Sequence, residues 1–271
     1  MIHDTPGITR SSRESLSSPS VGLTAETADF GYRKVLAKEK AKWVLRHFNS
    51  IADKYDAMNT LLSFGLHYSW KRRAIQALEL NPGDRVIDVC GGTADLSILA
   101  AGAVGHRGEI ILYDINRAMM AAGKTKITAS PWGERIRYVQ GDAEAISFPA
   151  GKFEAAMVGF GIRNLTHMEK GFLEMHRVLK PGGRFMCLEF SRPLPPFFRW
   201  LYDQYSFRVM PWAGRILAGT REAYTYLPES IRLFPLPEEL SAILKRIGFS
   251  RVSFRRFTQG IAVVHTGVKP A

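Results

Sequence analysis

Val86-Ile-Asp-Val-Cys-Gly-Gly-Thr-Ala-Asp-Leu96, VIDVCGGTADL, is the stretch that decides the fold of this 271-residue chain. An apolar run broken by one acid ends at two glycines, and a helical pattern follows. Gly91 and Gly92 lack the Cβ atoms that would hold a ligand away from the backbone. The full GxGxxG spacing of a pyrophosphate cradle is absent, which disfavours a dinucleotide.

Working outward, hydrophobic periodicity predicts a strand at 85–90, a helix at 94–104, a strand at 109–114 and a helix at 116–128. Strands at 136–140 and 153–159, a helix at 167–179, the turn KPGG and a strand at 184–190 follow. Strands alternating with helices imply an α/β fold, a parallel sheet with helices on both faces. Ligands of such sheets sit beyond the carboxyl ends of the strands. The last stretch, VSFRRFTQGIAVVHTGVKP, reads as two strands around TQG, an antiparallel hairpin at the sheet edge. That ending departs from an NAD-binding fold and resembles the seven-stranded, mostly parallel sheet of the Rossmann-like class I methyltransferases, whose final strand is antiparallel.

Acids at successive strand ends narrow the ligand. Asp114 lies 22 residues after Gly92, where a carboxylate can accept both ribose hydroxyls. Asp142, with Ala143 beside it, follows the next strand and can bond an adenine amino group. Thr93 stands at a helix start, where the dipole favours a carboxylate. Singly these are weak signals, since a glycine pair is often a plain turn and a strand-end Asp a helix cap. In this order they describe an S-adenosylmethionine site. Asp88 either orients the methionyl amine or serves a buried structural hydrogen bond, and Glu144 reads as a helix-start acid.

Hydrophobic residues make up 46% of the chain, enough for one domain with a real core. Two cysteines in apolar runs, Cys90 and Cys187, suit buried free thiols and a cytoplasmic protein. The N-terminal MIHDTPGITRSSRESLSSPS has no apolar core of a secretory signal, so residues 1–28 are expected to be a disordered tail before a domain at 29–271. No apolar run reaches the length of a membrane-spanning helix. The net charge of +12 suits nucleic acid, anionic lipid or an acidic substrate without choosing among them. Residues 192–256 hold 11 Lys/Arg against 5 Asp/Glu, a net +6, interleaved with Phe, Trp and Tyr.

YDAMNTLLSFGLHYSW (Tyr55–Trp70), FGIRN (Phe160–Asn164) and RVLKPGGRFMCLEFS (Arg177–Ser191) resemble diagnostic segments of the ubiquinone/menaquinone C-methyltransferase family, UbiE/MenG/COQ5. The likeness runs from about Phe30 to Lys269. It implies methyl transfer from S-adenosylmethionine to a ring carbon of a polyprenylated quinol, demethylmenaquinol foremost, with the methoxybenzoquinol of ubiquinone biosynthesis as alternative. No metal is needed. In-line displacement rests on positioning, and the ring becomes nucleophilic when a neighbouring hydroxyl loses its proton. The resemblance makes Arg163, Asp56 and His67 the catalytic candidates and Tyr55, Asn59 and Asn164 the substrate-binding ones. His67 reads either as a group that titrates near neutrality or as a polar histidine capping a helix. Arg163 can hold a phenolate or orient a water.

The chain departs from the family at two cofactor positions. Ala94 stands where the family has glycine, tolerable if it is the first helical residue with φ below zero. Gly159, a candidate cofactor contact, stands where the family often has serine. Helices at about 38–78, including SFGLH, are expected to form a lid over the sulfonium. Residues 192–232 are expected to form a helical cover for the prenyl tail, touching anionic membrane at its inner face reversibly. Self-association into a homo-oligomer is left open. A nucleic-acid methyltransferase is the runner-up from another class, and GFGIRN replaces the Asn/Asp-Pro-Pro-aromatic segment of amino-group methylases. Methylation of another small molecule and a non-catalytic role in quinone synthesis complete the alternatives.

Overall fold

The computed structural model describes Met1, residues 26–209 and residues 222–271. Most of the expected tail and part of the expected cover lie outside these residues. A seven-stranded sheet has the spatial order β5-β4-β3-β6-β7-β9-β8. β3 (Arg85–Val89), β4 (Glu109–Asp114), β5 (Ile136–Gln140), β6 (Phe153–Gly159) and β7 (Leu179–Phe190) are parallel. β9 (Ala262–Val268) enters antiparallel between β7 and β8 (Ser250–Phe257). The terminal hairpin is therefore edge strand only at β8. Successive strands run outward from β3 in one direction and from β6 in the other, so the switch point lies between these two.

The alternation of β3 explains the layers. Val86 belongs to one apolar cluster with Trp70, Ala74 and Ala100, from α3 (Leu66–Ala77) and α4 (Asp95–Val104). Ile87 and Val89 belong to the other, with Phe172 and Met175 of α6 (Met168–Val178) and Leu240 and Leu244 further on. A strand buried on both faces needs apolar residues at every position, as parallel strands do. Asp88 is the exception within β3.

Differences from the sequence reading are local. The helical stretch before the sheet breaks into α1 (Ala37–Asn49), a 3₁₀ turn (Ala52–Lys54), α2 (Tyr55–Leu62) and α3, which starts at Leu66. A small hairpin, β1 (Thr27–Phe30) with β2 (Arg33–Leu36), takes the first two residues from the expected tail. Phe30 stacks on Tyr226 at 4.4 Å, which anchors it to the main domain. β7 begins at Leu179 instead of 184, because Leu179 pairs Phe153 across a register shift that absorbs KPGG. α5 spans Arg117–Ala129; beyond β7, α7 (Pro196–Gln204) continues into a π-turn (Tyr205–Val209), and α8 (Glu222–Leu233) and α9 (Pro237–Ile247) come later in the chain.

Candidate active site

The turn after β3 is built from unusual backbone. Cys90, Gly92 and Ala94 have φ of 57°, 51° and 73°, and Phe160, just past β6, has 57°. Ala94 is thus left-handed and precedes α4 instead of opening it, contrary to the expectation of negative φ. An L-residue there costs roughly 1–2 kcal/mol. Such strain gathers where surrounding structure over-determines the chain, commonly at functional sites. Gly91 also answers to packing, since a Cβ on it would lie 2.8 Å from Leu112 Cγ. A Cβ on Gly159 would lie 2.4 Å from Leu96 Cδ1, so Leu96 takes the space a serine would need.

These residues wall a cavity of about 180 Å³ at the switch point. Gly91, Gly92, Thr93, Asp114, Asp142, Ala143 and Gly159, all expected at the cofactor, line it together. Asp114 accepts the Gly92 amide at 2.8 Å and the Asn116 amide at 2.7 Å, one on each oxygen. A carboxylate offers about four lone-pair sites, so it retains acceptors for a diol. Burial pushes its pKa up against those two bonds. Asp142 is exposed and accepts the Glu144 amide at 2.8 Å. Glu144 lines the cavity in a turn instead of at a helix start, and its Oε1 takes the Thr166 and His167 amides ahead of α6.

Asp88 lies at the cavity floor, 1% exposed. Ser97 donates to its Oδ2 at 2.7 Å, whereas Oδ1 has no partner among the described residues. Burial raises its pKa to about 7. An unmet buried acceptor beside a helix N-terminus fits a ligand bringing both an ammonium and a carboxylate. The buried structural hydrogen bond expected of Asp88 is present, from Ser97. The roof comes from α1, inside the stretch 38–78 expected to form a lid: Ala41, Val44, Leu45 and Phe48.

A second cavity of the same volume adjoins the first, and Phe48, Tyr55, Lys71 and Phe160 line both. Its walls are mainly aromatic and aliphatic and include Ile51, Leu62, Trp70, Phe190, Tyr202, Tyr205 and Tyr226. Asn59, His67 and Arg163 line it as well. Asn164 does not: it walls the first cavity, donates to Gly161 O, and accepts the Tyr226 hydroxyl at 2.8 Å. That reassigns it from substrate contact to the cofactor side.

Arg163 pairs with Glu189 at 3.0 Å, side chains 5% and 2% exposed, and also donates to Phe160 O and, at 3.3 Å, to Ser230 Oγ. Glu189 was missed because nothing in LEF marks an acid inside a buried strand as functional. Burial pushes its carboxyl up and Arg163 opposes that. His67 is buried, and desolvation with the nearby Lys71 ammonium lowers its pKa to about 4. The reading as a group that titrates near neutrality is thereby overturned. Thr60 Oγ1 donates to Asp56 O at 2.9 Å and meets His67 Nε2 at 3.2 Å. In the tautomer that satisfies both contacts Nε2 carries the proton, and Nδ1 is an acceptor with no hydrogen-bond partner among the described residues.

Asp56 does not stand apart from the cofactor side. Thr93 donates to its Oδ1 at 2.6 Å and Lys126 holds its Oδ2 at 2.5 Å. Lys126 also meets Asp95, which pairs Lys71 at 2.6 Å. This chain of charges stitches α2 and α3 to the glycine turn. It joins residues up to about seventy apart, and no local pattern signals it. SFGLH likewise sits elsewhere than over the first cavity: Phe64, Leu66 and His67 line the second.

The ubiE/COQ5 methyltransferase family model matches residues 34–269. The ubiquinone/menaquinone biosynthesis C-methyltransferase UbiE of Ectopseudomonas mendocina is 43% identical over 90% of this chain and 95% of its own length. That of Methylococcus capsulatus is 43% identical over 91% of this chain and all of its own. Among solved structures, the [4+2]-cyclase SpnF superposes with a TM-score of 0.61 at 14% identity, over 84% of this chain and 95% of its own. An S-adenosylmethionine-dependent methyltransferase from Thermotoga maritima gives 0.58 at 17% identity, over 83% and 98%. At such identity these two speak to the fold alone.

Proposed function

The chain belongs to the ubiE/COQ5 methyltransferase family, and from that premise we propose that it methylates a ring carbon of a polyprenylated quinol, demethylmenaquinol in particular. It is an S-adenosylmethionine-dependent methyltransferase. The observation that carries the finer reading is the pair of adjoining cavities: one lined by acids, the other by aromatic rings, with Phe48, Tyr55, Lys71 and Phe160 between them. Bound in the first, S-adenosylmethionine supplies an electrophilic methyl. Asp114 would hold its ribose, Asp142 its adenine, and Asp88 with Thr93 its amino-acid end. The flat walls of the second, Trp70, Phe160 and Phe190 among them, suit a bicyclic ring.

The chain's own part is positioning and proton handling. His67, neutral at neutral pH, offers the lone pair of Nδ1 to a ring hydroxyl, drawing electron density toward the adjacent carbon. Arg163 keeps a positive charge at the same wall, held in one orientation by Glu189. Tyr55 and Asn59 face the ring from α2. The lid is α1 to α3, and the membrane contact is reversible and made at the inner face through residues 192–232.

Two short-chain desmethyl quinols, one naphthoquinol and one benzoquinol, test the reading with purified protein. Methylation of the naphthoquinol ring carbon at the higher kcat/KM is expected. Preference for the benzoquinol would transfer the assignment to ubiquinone biosynthesis, and turnover of neither would remove the quinol. Arg163→Ala should lower kcat at least tenfold, with S-adenosylhomocysteine affinity little changed.

A further inference from the structure

The corner between α2 and α3 breaks two rules at once. Phe64 has φ of 50°, a conformation that a bulky side chain seldom adopts, and it is 79% exposed. Strain that holds an aromatic ring out in water calls for a reason. Phe64 stands at the mouth of the second cavity, 6.1 Å from the ring of Tyr205, whose hydroxyl donates to Leu62 O at 2.8 Å. The two segments, far apart in sequence, meet there. Leu201 and Phe197 precede Tyr205 by four and eight residues, on one helical face, at 48% and 68% exposure. Exposed apolar side chains thus follow α7 toward Tyr205, whose ring neighbours Phe64.

We propose that this corner and the α7 face form one bilayer-docking collar around the mouth of the second cavity, with Phe64 as its inserting wedge. The proposal rests on the quinol reading and adds the route of entry: the tail passes laterally from the hydrocarbon into the cavity without crossing water. Arg192, Arg199 and Arg208 are exposed around the α7 face, and its carboxylate Asp203 is taken by Arg232. A patch of buried-type residues rimmed by arginines fits anionic headgroups over an apolar interior. A second copy docked about a two-fold would set these arginines against their own counterparts.

Sedimentation of the full-length protein with vesicles tests this, comparing phosphatidylglycerol-containing with pure phosphatidylcholine vesicles. Binding is expected on the anionic vesicles. Phe64→Asn, which keeps a residue at ease with positive φ, should weaken it roughly tenfold. Leu61 of α2 and Trp200 of α7 are exposed apolar side chains of the same corner and helix that do not line the cavity. Leu61→Ser with Trp200→Ser should lower vesicle binding and long-tail turnover while a tail-less quinol is methylated as before. Phe64→Asn binding as well as the wild type would overturn the proposal. So would a wild type that ignores vesicles but forms dimers which Phe64→Asn dissociates. Failure to methylate the tail-less quinol would instead strike the quinol reading, and vesicle binding is read independently of it.

Discussion

Asp56 of α2 accepts the Thr93 hydroxyl at 2.6 Å and so joins the substrate-side helix to the cofactor turn. The same carboxylate holds Lys126, which also meets Asp95 at the start of α4. A substitution here cannot act on one cavity alone. Asp56→Ala should weaken S-adenosylhomocysteine binding by about 1–2 kcal/mol, the scale of a charge-assisted hydrogen bond, as well as lowering turnover. Titration calorimetry on the folded variant checks this. Unchanged affinity would uncouple α2 from the turn.

Asp114→Ala should weaken the same ligand by roughly 1–3 kcal/mol. It also orphans the amides of Gly92 and Asn116, so Tm should fall. Adding ligand should restore less of that Tm than it does in the wild type.

Asp88 gives a pH signature. Its folded pKa, about 7, lies above the ordinary carboxylate value. The group therefore favours the folded state most below pH 4, and that contribution is lost as pH rises toward 7. The loss is on the order of 4 kcal/mol for the ligand-free protein. Asp88→Asn still accepts from Ser97 and should flatten the Tm profile between pH 4 and 7. An unaltered slope would mean that another group carries it.

Ala94→Gly should stabilise the protein. Relief of a left-handed alanine is worth roughly 1–2 kcal/mol, against about 0.8 kcal/mol for the buried methyl. Denaturant unfolding should show a gain of up to about 1 kcal/mol. A loss would mean that the methyl packs better than its backbone suffers.

Glu189→Gln leaves Arg163 buried without its counter-charge and should cost roughly 3–5 kcal/mol. Arg163→Met in the same chain should recover much of that stability while turnover stays low. Recovery of turnover as well would remove Arg163 from the reaction.

Sequence alone determined the sheet, the glycine turn and seven of the residues that line the first cavity together. The physical reason is that these features are local. Burial on both faces writes a continuous apolar run, a tight turn writes glycines, and a strand end places its next side chain at the ligand edge whatever lies elsewhere. The conformation of Ala94 escaped, because propensity says nothing about a turn forced left-handed by its neighbours.

Tertiary structure alone decided how the charged and aromatic side chains pair. Arg163 with Glu189, Asp56 with Thr93 and Asn164 with Tyr226 join residues 26, 37 and 62 apart. The same is true of His67, whose pKa falls to about 4 because folding packs it away from water beside Lys71. Phe64 stands in SFGLH, expected over the sulfonium, and only the fold sets it beside Tyr205 at the second cavity. Burial and long-range pairing are properties of assembled surfaces, and a linear pattern of residue types carries no record of which surfaces meet.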